Sequence, residues 1–263
     1  MSKRSNSKLL IIGLIRIIIY IHLVVFGLGG LFILSYKFIN PPTTSLAIYR
    51  SVFKGVKNKP FKFVPLKNIP YFAKSSLIRL EDPNFKQHHG LDLRATWEAY
   101  KLNKRYGKKI AGGSTITQQI ARTLFLTPHK NYLRKYIEVL LALEMEAILS
   151  KDRIMELYLN YVEFGKGVYG IGPGSYYHYH RDLSKLSSSE LARLIIILPS
   201  PVKYGVNDIG RKRTFVRRNN ILFRPQPDII SPEIIQPTVQ QSKPSQENIE
   251  DIIEDDLDDE DAN

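Results

Sequence analysis

Residues Gly112–Glu138 read GGSTITQQIARTLFLTPHKNYLRKYIE. The paired glycines permit a tight backbone turn, and Thr115-x-x-Gln118 has the form of a capping box, so a helix is expected to open here. The N–H groups of such a helix start suit phosphate oxygens. Further along, Arg134 and Glu138 fall one turn apart on the same face of a second helix, while Leu133, Ile137, Leu140 and Leu141 form its opposing apolar face. Arg122, Lys130, Arg134 and Lys135 make the stretch strongly cationic. Two bland alternatives stand beside this reading. Arg134–Glu138 is equally an exposed ion pair of little energetic worth, and Gln118 and Gln119 either contact a substrate or face solvent.

Upstream lies EDPNFKQHHGLD, Glu81–Asp92. Ser75 can cap a helix running through Leu77, Ile78 and Leu80, and Pro83 disfavours helical geometry at Asp82, which places Glu81 at the helix end. The negative end of a helix dipole makes a carboxylate more basic, a property that suits a general base. Asp82, His88 and Asp92 have the types and spacing of turn and capping residues that order the loop. Two carboxylates on helices beside clustered cations suit chemistry on a sugar attached to a pyrophosphate: acids move protons, cations hold phosphates.

The start of the chain points to a membrane. Residues 9–35 are an apolar run of about 27 residues, longer than the roughly 20 needed to cross a bilayer, interrupted by Arg16 and His22. Lys3, Arg4 and Lys8 precede it, which favours a cytoplasmic N-terminus, although Lys37, Arg50 and Lys54 follow. The run is too long for a signal-peptide core and no small-x-small cleavage site precedes Tyr36. A single signal anchor at 9–35 is therefore expected, after a cytoplasmic segment 1–8. The rest of the chain then lies outside the cytoplasm.

The formal charge is +13 over 263 residues, unevenly spread. From Arg224 onward twelve acids face only Arg224 and Lys243, a net of −10, so residues 1–223 carry +23. Such a body calls for anionic partners, and behind a membrane anchor these are lipid head groups or pyrophosphates rather than nucleic acid. Cysteine is absent, so disulfides and thiolate metal sites are excluded. No cofactor is required by the sequence. A Mg2+ or Mn2+ ion is compatible with a pyrophosphate, and no dedicated ligand set for one is visible.

The remaining pattern is mainly α. Residues 36–59 read as a juxtamembrane linker, in which Phe53, with Phe61 and Phe63 just beyond, interleaves with lysines as a solvated connector or a basic aromatic collar on the membrane surface. Leu91–Arg105 repeats apolar residues at helical spacing. Ser150 caps the segment ending in YLN, where Ile154, Leu157 and Tyr158 are expected to pack and Glu156 to be solvated. Ser187-x-x-Glu190 is a capping box before LARLIIIL, stopped by Pro199. Gly165–Gly174 reads as a loop, and the segment 224–263 has the composition of a disordered acidic tail.

Five blocks, EDPNFKQHHG, GGSTITQQ, RKYIE, KDRIMELYLN and VRRNNIL, resemble in order those of the peptidoglycan glycosyltransferases, the closest group being the monofunctional biosynthetic transglycosylases. They extend over residues 60–223. The tail carries no transpeptidase motif such as Lys-Thr-Gly. The resemblance implies a lysozyme-like glycosyltransferase domain behind the single transmembrane helix, acting on lipid II and a growing glycan strand. It implies that Glu81 is the general base, deprotonating the acceptor 4-hydroxyl for inverting attack on the lipid-linked donor. Undecaprenyl pyrophosphate leaves and a β-1,4 linkage forms. Glu138 matches a second essential carboxylate, and Arg134 and Lys135 match cations beside the leaving pyrophosphate. Asp82, Phe85, His88, Gly113, Ser114, Thr115, Gln118, Gln119, Arg122 and Lys130 complete the substrate-binding set. The location implied is the bacterial cytoplasmic membrane, N-terminus in and catalytic domain on the outer side, with cell-wall synthases or division proteins as partners.

The chain also departs from that family pattern. Arg122 stands where Lys is usual and Lys130 where Arg is usual, and the two cations differ in geometry. Gly172-Pro173-Gly174 replaces a Glu-Ala-Ala sequence, so a broken or delayed helix is expected there. Two other functions remain compatible at this level: a lysozyme-like hydrolase or lytic transglycosylase, and a non-catalytic lipid II-binding recruitment module.

Overall fold

The computed structural model describes residues 2–107 and 111–223; the acidic segment 224–263, and the tail expected there, lie outside them. The apolar run is helical throughout: α1 (Ser2–Val24), a π-turn at Val25–Gly29 and α2 (Gly30–Ser35). Within it Ile12–Ser35 is long and apolar enough to cross a bilayer. Most of its side chains, among them Leu14, Tyr20, Leu23 and Leu31, face outward, as in a helix whose solvent is lipid.

The segment expected to be a linker contains a helix, α3 (Ser45–Lys54). Thr44 caps it by accepting from Ala47 N at 3.0 Å, and Gly55 ends it in the left-handed conformation. Sequence periodicity could not reveal it, because Ala47 is the only residue it fully buries. The aromatic collar is also smaller than expected. Phe53 is exposed, but Phe61 stacks on Tyr161 and Tyr169, and Phe63 packs on the core.

The body is helical: α4 (Tyr71–Glu81), α5 (Leu93–Tyr106), α6 (Ile116–Phe125), α7 (Tyr132–Ile148), α8 (Lys151–Tyr161), α9 (Ile171–Tyr179), α10 (Ser188–Ile196) and α11 (Arg213–Phe223). Strands β1 (Glu163–Gly165) and β2 (Val168–Tyr169) form a short antiparallel hairpin. Helix α6 sits in the middle, packed on α7 and α8, while α10 covers α4. Its buried face, Ile116, Ile120, Ala121 and Leu124, meets Met145, Ile154, Leu157 and Tyr158 in one continuous core.

Several helix ends fall where the sequence puts them. Glu81 is the last residue of α4, with Asp82 after it in a non-helical conformation before Pro83. Ser150 caps α8 and Ser187–Glu190 forms a capping box on α10. Others differ. Helix α4 starts at Tyr71 after Pro70, so Ser75 lies inside it and its hydroxyl donates to Phe72 O at 3.1 Å instead of capping. Leu133 is exposed while Leu140 and Leu141 are buried, because α7 enters the core only after its first turn. Gly165–Gly174 is not a loop but the hairpin plus the start of α9, which takes Gly172-Pro173-Gly174 into its first turn without delay. Proline there needs no N–H partner. Gly174 stands where a Cβ would lie 2.7 Å from Phe164 Cβ, so the small residue lets α9 seat on the hairpin.

Candidate active site

The C-terminal end of α4, the turn before α6 and the first turns of α7 converge on one face. Glu81 Oε2 accepts from Gln119 Nε2 at 3.0 Å, and Glu81 Oε1 accepts from Arg218 Nη2 at 2.6 Å. Arg218 also donates to Ile195 O at 3.1 Å, which fixes α11 against α10 beside the carboxylate. Gln119 is oriented in turn by Tyr158, whose hydroxyl donates to Gln119 Oε1 at 2.9 Å. Burial, reinforced by the Glu81 charge, holds the Tyr158 hydroxyl well above its ordinary pKa, so it stays a donor.

Asp82, next in sequence, points inward. It accepts from His88 Nε2 at 2.9 Å and from Ile116 N at 2.9 Å. Gly90 N donates to His88 Nδ1 at 3.2 Å, so the proton of the imidazole sits on Nε2, toward Asp82. Burial pushes the Asp82 carboxyl up, only partly offset by the Ile116 N–H and His88. Phe85 is buried under Lys151 Nζ, 4.5 Å from its ring centre. Asp92 caps α5 through Ala95 N at 2.8 Å and accepts from Asn84 at 2.7 Å. The Ala95 N–H, against opposing burial, holds its carboxyl below the ordinary range.

The expected capping box is present: Gln118 N donates to Thr115 Oγ1 at 3.1 Å, and Thr115 N to Gln118 Oε1 at 3.0 Å. With Ile116 N bound by Asp82, these N–H groups are already satisfied within the protein. Those three N–H groups are therefore not open to a phosphate, and Thr115 and Gln118 are buried builders of the turn. Gly113 is required by proximity, since a Cβ there would lie 2.7 Å from Thr96 Cα.

The second carboxylate lies deep. Glu138 is fully buried, yet Arg134 Nη1 donates to its Oε2 at 2.6 Å and Lys135 Nζ to its Oε1 at 2.5 Å. The bland surface-pair reading is thus overturned for this residue: such a group, taken from water, needs both cations. Lys135 also donates to Ser114 Oγ at 2.9 Å. Because Gln119 Nε2 reaches Ser114 O at 3.5 Å, the contacts Glu81–Gln119–Ser114–Lys135–Glu138 run unbroken between the two acids. Arg122 is half-buried and Lys130 exposed, and neither makes an ion pair among the described residues. Among the described residues no three His, Asp or Glu side chains gather as a metal-ligand set.

Sequence reasoning missed three members. Arg218 lay in view within VRRNNIL, but its pairing with a residue 137 positions away has no local signal. Tyr158 was read as packing only. Glu156, expected to be solvated, instead pairs with Arg153 at 2.6 Å and accepts from Leu66 N at 2.7 Å, pinning the chain before α4.

The helical domain thus lines up two buried or half-buried carboxylates with paired cations, behind an apolar helix long enough to cross a bilayer. Residues 49–225 match the Transglycosylase family, and the chain belongs to that family, whose domain is lysozyme-like. Relatives named biosynthetic peptidoglycan transglycosylase include one from Herminiimonas arsenicoxydans, 42% identical over 161 residues, covering 60% of this chain and 70% of the relative. One from Burkholderia ambifaria (strain MC40-6) is 41% identical over 170 residues, 63% of this chain and 69% of its own. One from Caulobacter vibrioides is 38% identical over 185 residues, 69% of this chain and 80% of its own. The protein is a peptidoglycan glycosyltransferase.

Proposed function

We propose that the protein polymerises lipid II on the outer face of the cytoplasmic membrane, with Glu81 as general base. The observation that carries this reading is the arrangement of Glu81 itself. Its two oxygens are held by Arg218 and Gln119, one contact each, at the edge of a surface whose other end is the Arg134–Lys135–Glu138 cluster. Glu81 takes the proton of the acceptor 4-hydroxyl; that oxygen bonds to C1 of the donor strand. The bond from C1 to the pyrophosphate oxygen breaks, and the electron pair leaves with undecaprenyl pyrophosphate. Arg134 and Lys135, with Arg122 and Lys130 as the unpaired cations nearby in sequence, receive the growing negative charge. Glu138 holds the first two at fixed separation. Ser114 and Gln119 touch both halves of the site and register acceptor against donor.

A lipid-linked substrate also fits the anchor. His22 on α1 accepts from the Tyr136 hydroxyl at 2.9 Å, one residue from Lys135, and an apolar hollow lined by Ile18, Ile19, Leu23 and Phe26 runs alongside. The basic body suits anionic head groups. The reading keeps the N-terminus cytoplasmic, a Mg2+ or Mn2+ ion as an optional companion of the pyrophosphate, and other cell-wall synthases or division proteins as partners. Fluorescent lipid II incubated with the detergent-solubilised protein should give a polymer ladder on a gel, and Glu81→Gln should give none. Full activity in Glu81→Gln would remove Glu81 from the role of base.

A further inference from the structure

Helix α7 carries a second buried carboxylate, Glu144, that the chemistry above does not use. Glu144 is 7% exposed, and its Oε2 has no hydrogen-bond partner. It makes no ion pair among the described residues. Its surroundings are the membrane anchor, at the point where the helix passes from the π-turn into α2. A Cβ added to Gly29 would lie 3.3 Å from Glu144 Oε2 and 3.0 Å from Leu141 Cδ2, and one added to Gly30 would overlap Glu144 Oε1. The two glycines thus form a notch that receives this carboxyl. A π-turn just before the notch is the kind of helix defect often found where a packing partner must be accommodated.

We propose that Glu144, seated in the Gly29–Gly30 notch, is a pH-sensitive joint between the membrane anchor and the helix that carries Arg134, Lys135 and Glu138. The physical argument is desolvation. An ionised carboxylate enclosed by apolar groups and helix backbone, with no cation, is costly, whereas the neutral acid packs there without that penalty. Burial alone pushes the Glu144 carboxyl up to about 7. The charged and titratable groups that the packed elements bring to this joint are engaged elsewhere. On the anchor, His22 is held by Ile18 O and Tyr136, and the Tyr36 ring stacks on Phe125. The exception is Arg122 on α6, which makes no ion pair among the described residues, with Glu144 or with any other acid. On α8, Arg153 is spent on Tyr36 O, Ile39 O and Glu156. On α7 itself, Glu146 is taken by Thr117 and Lys151.

The sign follows. The docked state favours the protonated acid, so docking is strongest below the ordinary value of 4.5, weakens as pH rises from there through about 7, and changes no further above that. With titration near 7, the acid is about nine-tenths neutral at pH 6 and about one-tenth at pH 8. The joint is then firmest in an acid envelope and loosest at neutral pH and above. Loosening frees α7 to shift its cations relative to Glu81 on α4.

The chain has no cysteine, so a pair introduced at the exposed positions Leu28 and Leu143 can be spin-labelled in the full-length protein in nanodiscs. A close label-to-label component should dominate at pH 5 and give way to a longer or broader one by pH 8, with the change falling between about 4.5 and about 7. Adding Glu144→Gln, or Glu144→Leu should the amide impair folding, should keep the close component at both pH values. Adding Gly30→Leu, which fills the notch, should lose it at both. A wild-type distribution unchanged with pH, or a Glu144→Gln protein that shifts as the wild type does, would overturn the proposal. The measurement uses no lipid II, so its outcome is separate from that of the polymerisation assay.

Discussion

Replacing Arg218 with methionine removes the charge opposite Glu81 while keeping an apolar stem of similar length. The two side chains are 13% and 12% exposed and meet at 2.6 Å, so the pair is neither a solvated surface bridge nor fully dry. Two unit charges about 4 Å apart at an effective dielectric of about 20 attract by about 4 kcal/mol. Removing one member of a buried pair typically costs about 3–5 kcal/mol, because the other charge stays behind unpaired. Residual exposure reduces this, and loss of the bond to Ile195 O adds about 1 kcal/mol. A net loss of about 2–4 kcal/mol is expected. At roughly 2–4 °C per kcal/mol for a domain of this size, Arg218→Met should melt about 5–15 °C lower. Adding Glu81→Gln should restore much of that, since the stranded charge goes too. The coupling between the two sites in a double-mutant cycle should be of the same size. Polymerisation should fall at least about tenfold in Arg218→Met, because the base is then held by Gln119 alone. A single mutant that melts within a degree of wild type and polymerises normally would refute the assignment of Arg218 as the partner that fixes Glu81.

Glu138→Gln should abolish most activity, by about 10²–10³-fold in turnover on lipid II, since Arg134 and Lys135 lose the anion that spaces them; unchanged turnover would make Glu138 a purely structural counter-ion. Gly113→Ala should cost about 1–3 kcal/mol, read as a lowered melting temperature, because its Cβ meets the backbone of Thr96 rather than a side chain that can rotate away.

What the sequence made legible was local. Caps at Ser150, Ser187 and Thr115, the stop at Pro83 and the apolar anchor are written in neighbouring residues, and all recur in the structure. The resemblance of the five blocks added the two glutamates, which no spacing rule would have raised above ordinary helix residues. Three things were hidden. Helix α3 was invisible because it buries almost nothing. The start of α4 was misplaced because Ser75 is a good cap by type, while Pro70, a residue compatible with the turn before a helix, was the actual boundary. Arg218, finally, is brought to Glu81 by α10 and α11 folding over α4, a tertiary event with no trace in either segment alone.

The N-terminus of α6 explains why the two halves of the site depend on each other. Its capping turn, expected to hold a ligand, is spent on the protein itself: Ile116 N on Asp82, Thr115 Oγ1 on Gly90 O at 2.7 Å, and Thr117 Oγ1 on Glu146 at 2.5 Å. Those bonds tie α6 to the loop after Glu81 on one side and to α7 on the other. Ser114 and Gln119 flank the turn and carry the polar contacts that lead from one acid to the other. An enzyme that must bring an acceptor hydroxyl and a departing pyrophosphate to fixed positions gains more from rigid registration than from one further anion contact. With the N–H groups of Thr115, Ile116 and Gln118 taken up, the cations Arg134 and Lys135 stand on α7, the helix against which the apolar helix packs. Glu81 on α4 and the cations on α7 therefore answer to different neighbours, α11 for the first and the N-terminal apolar helix for the second.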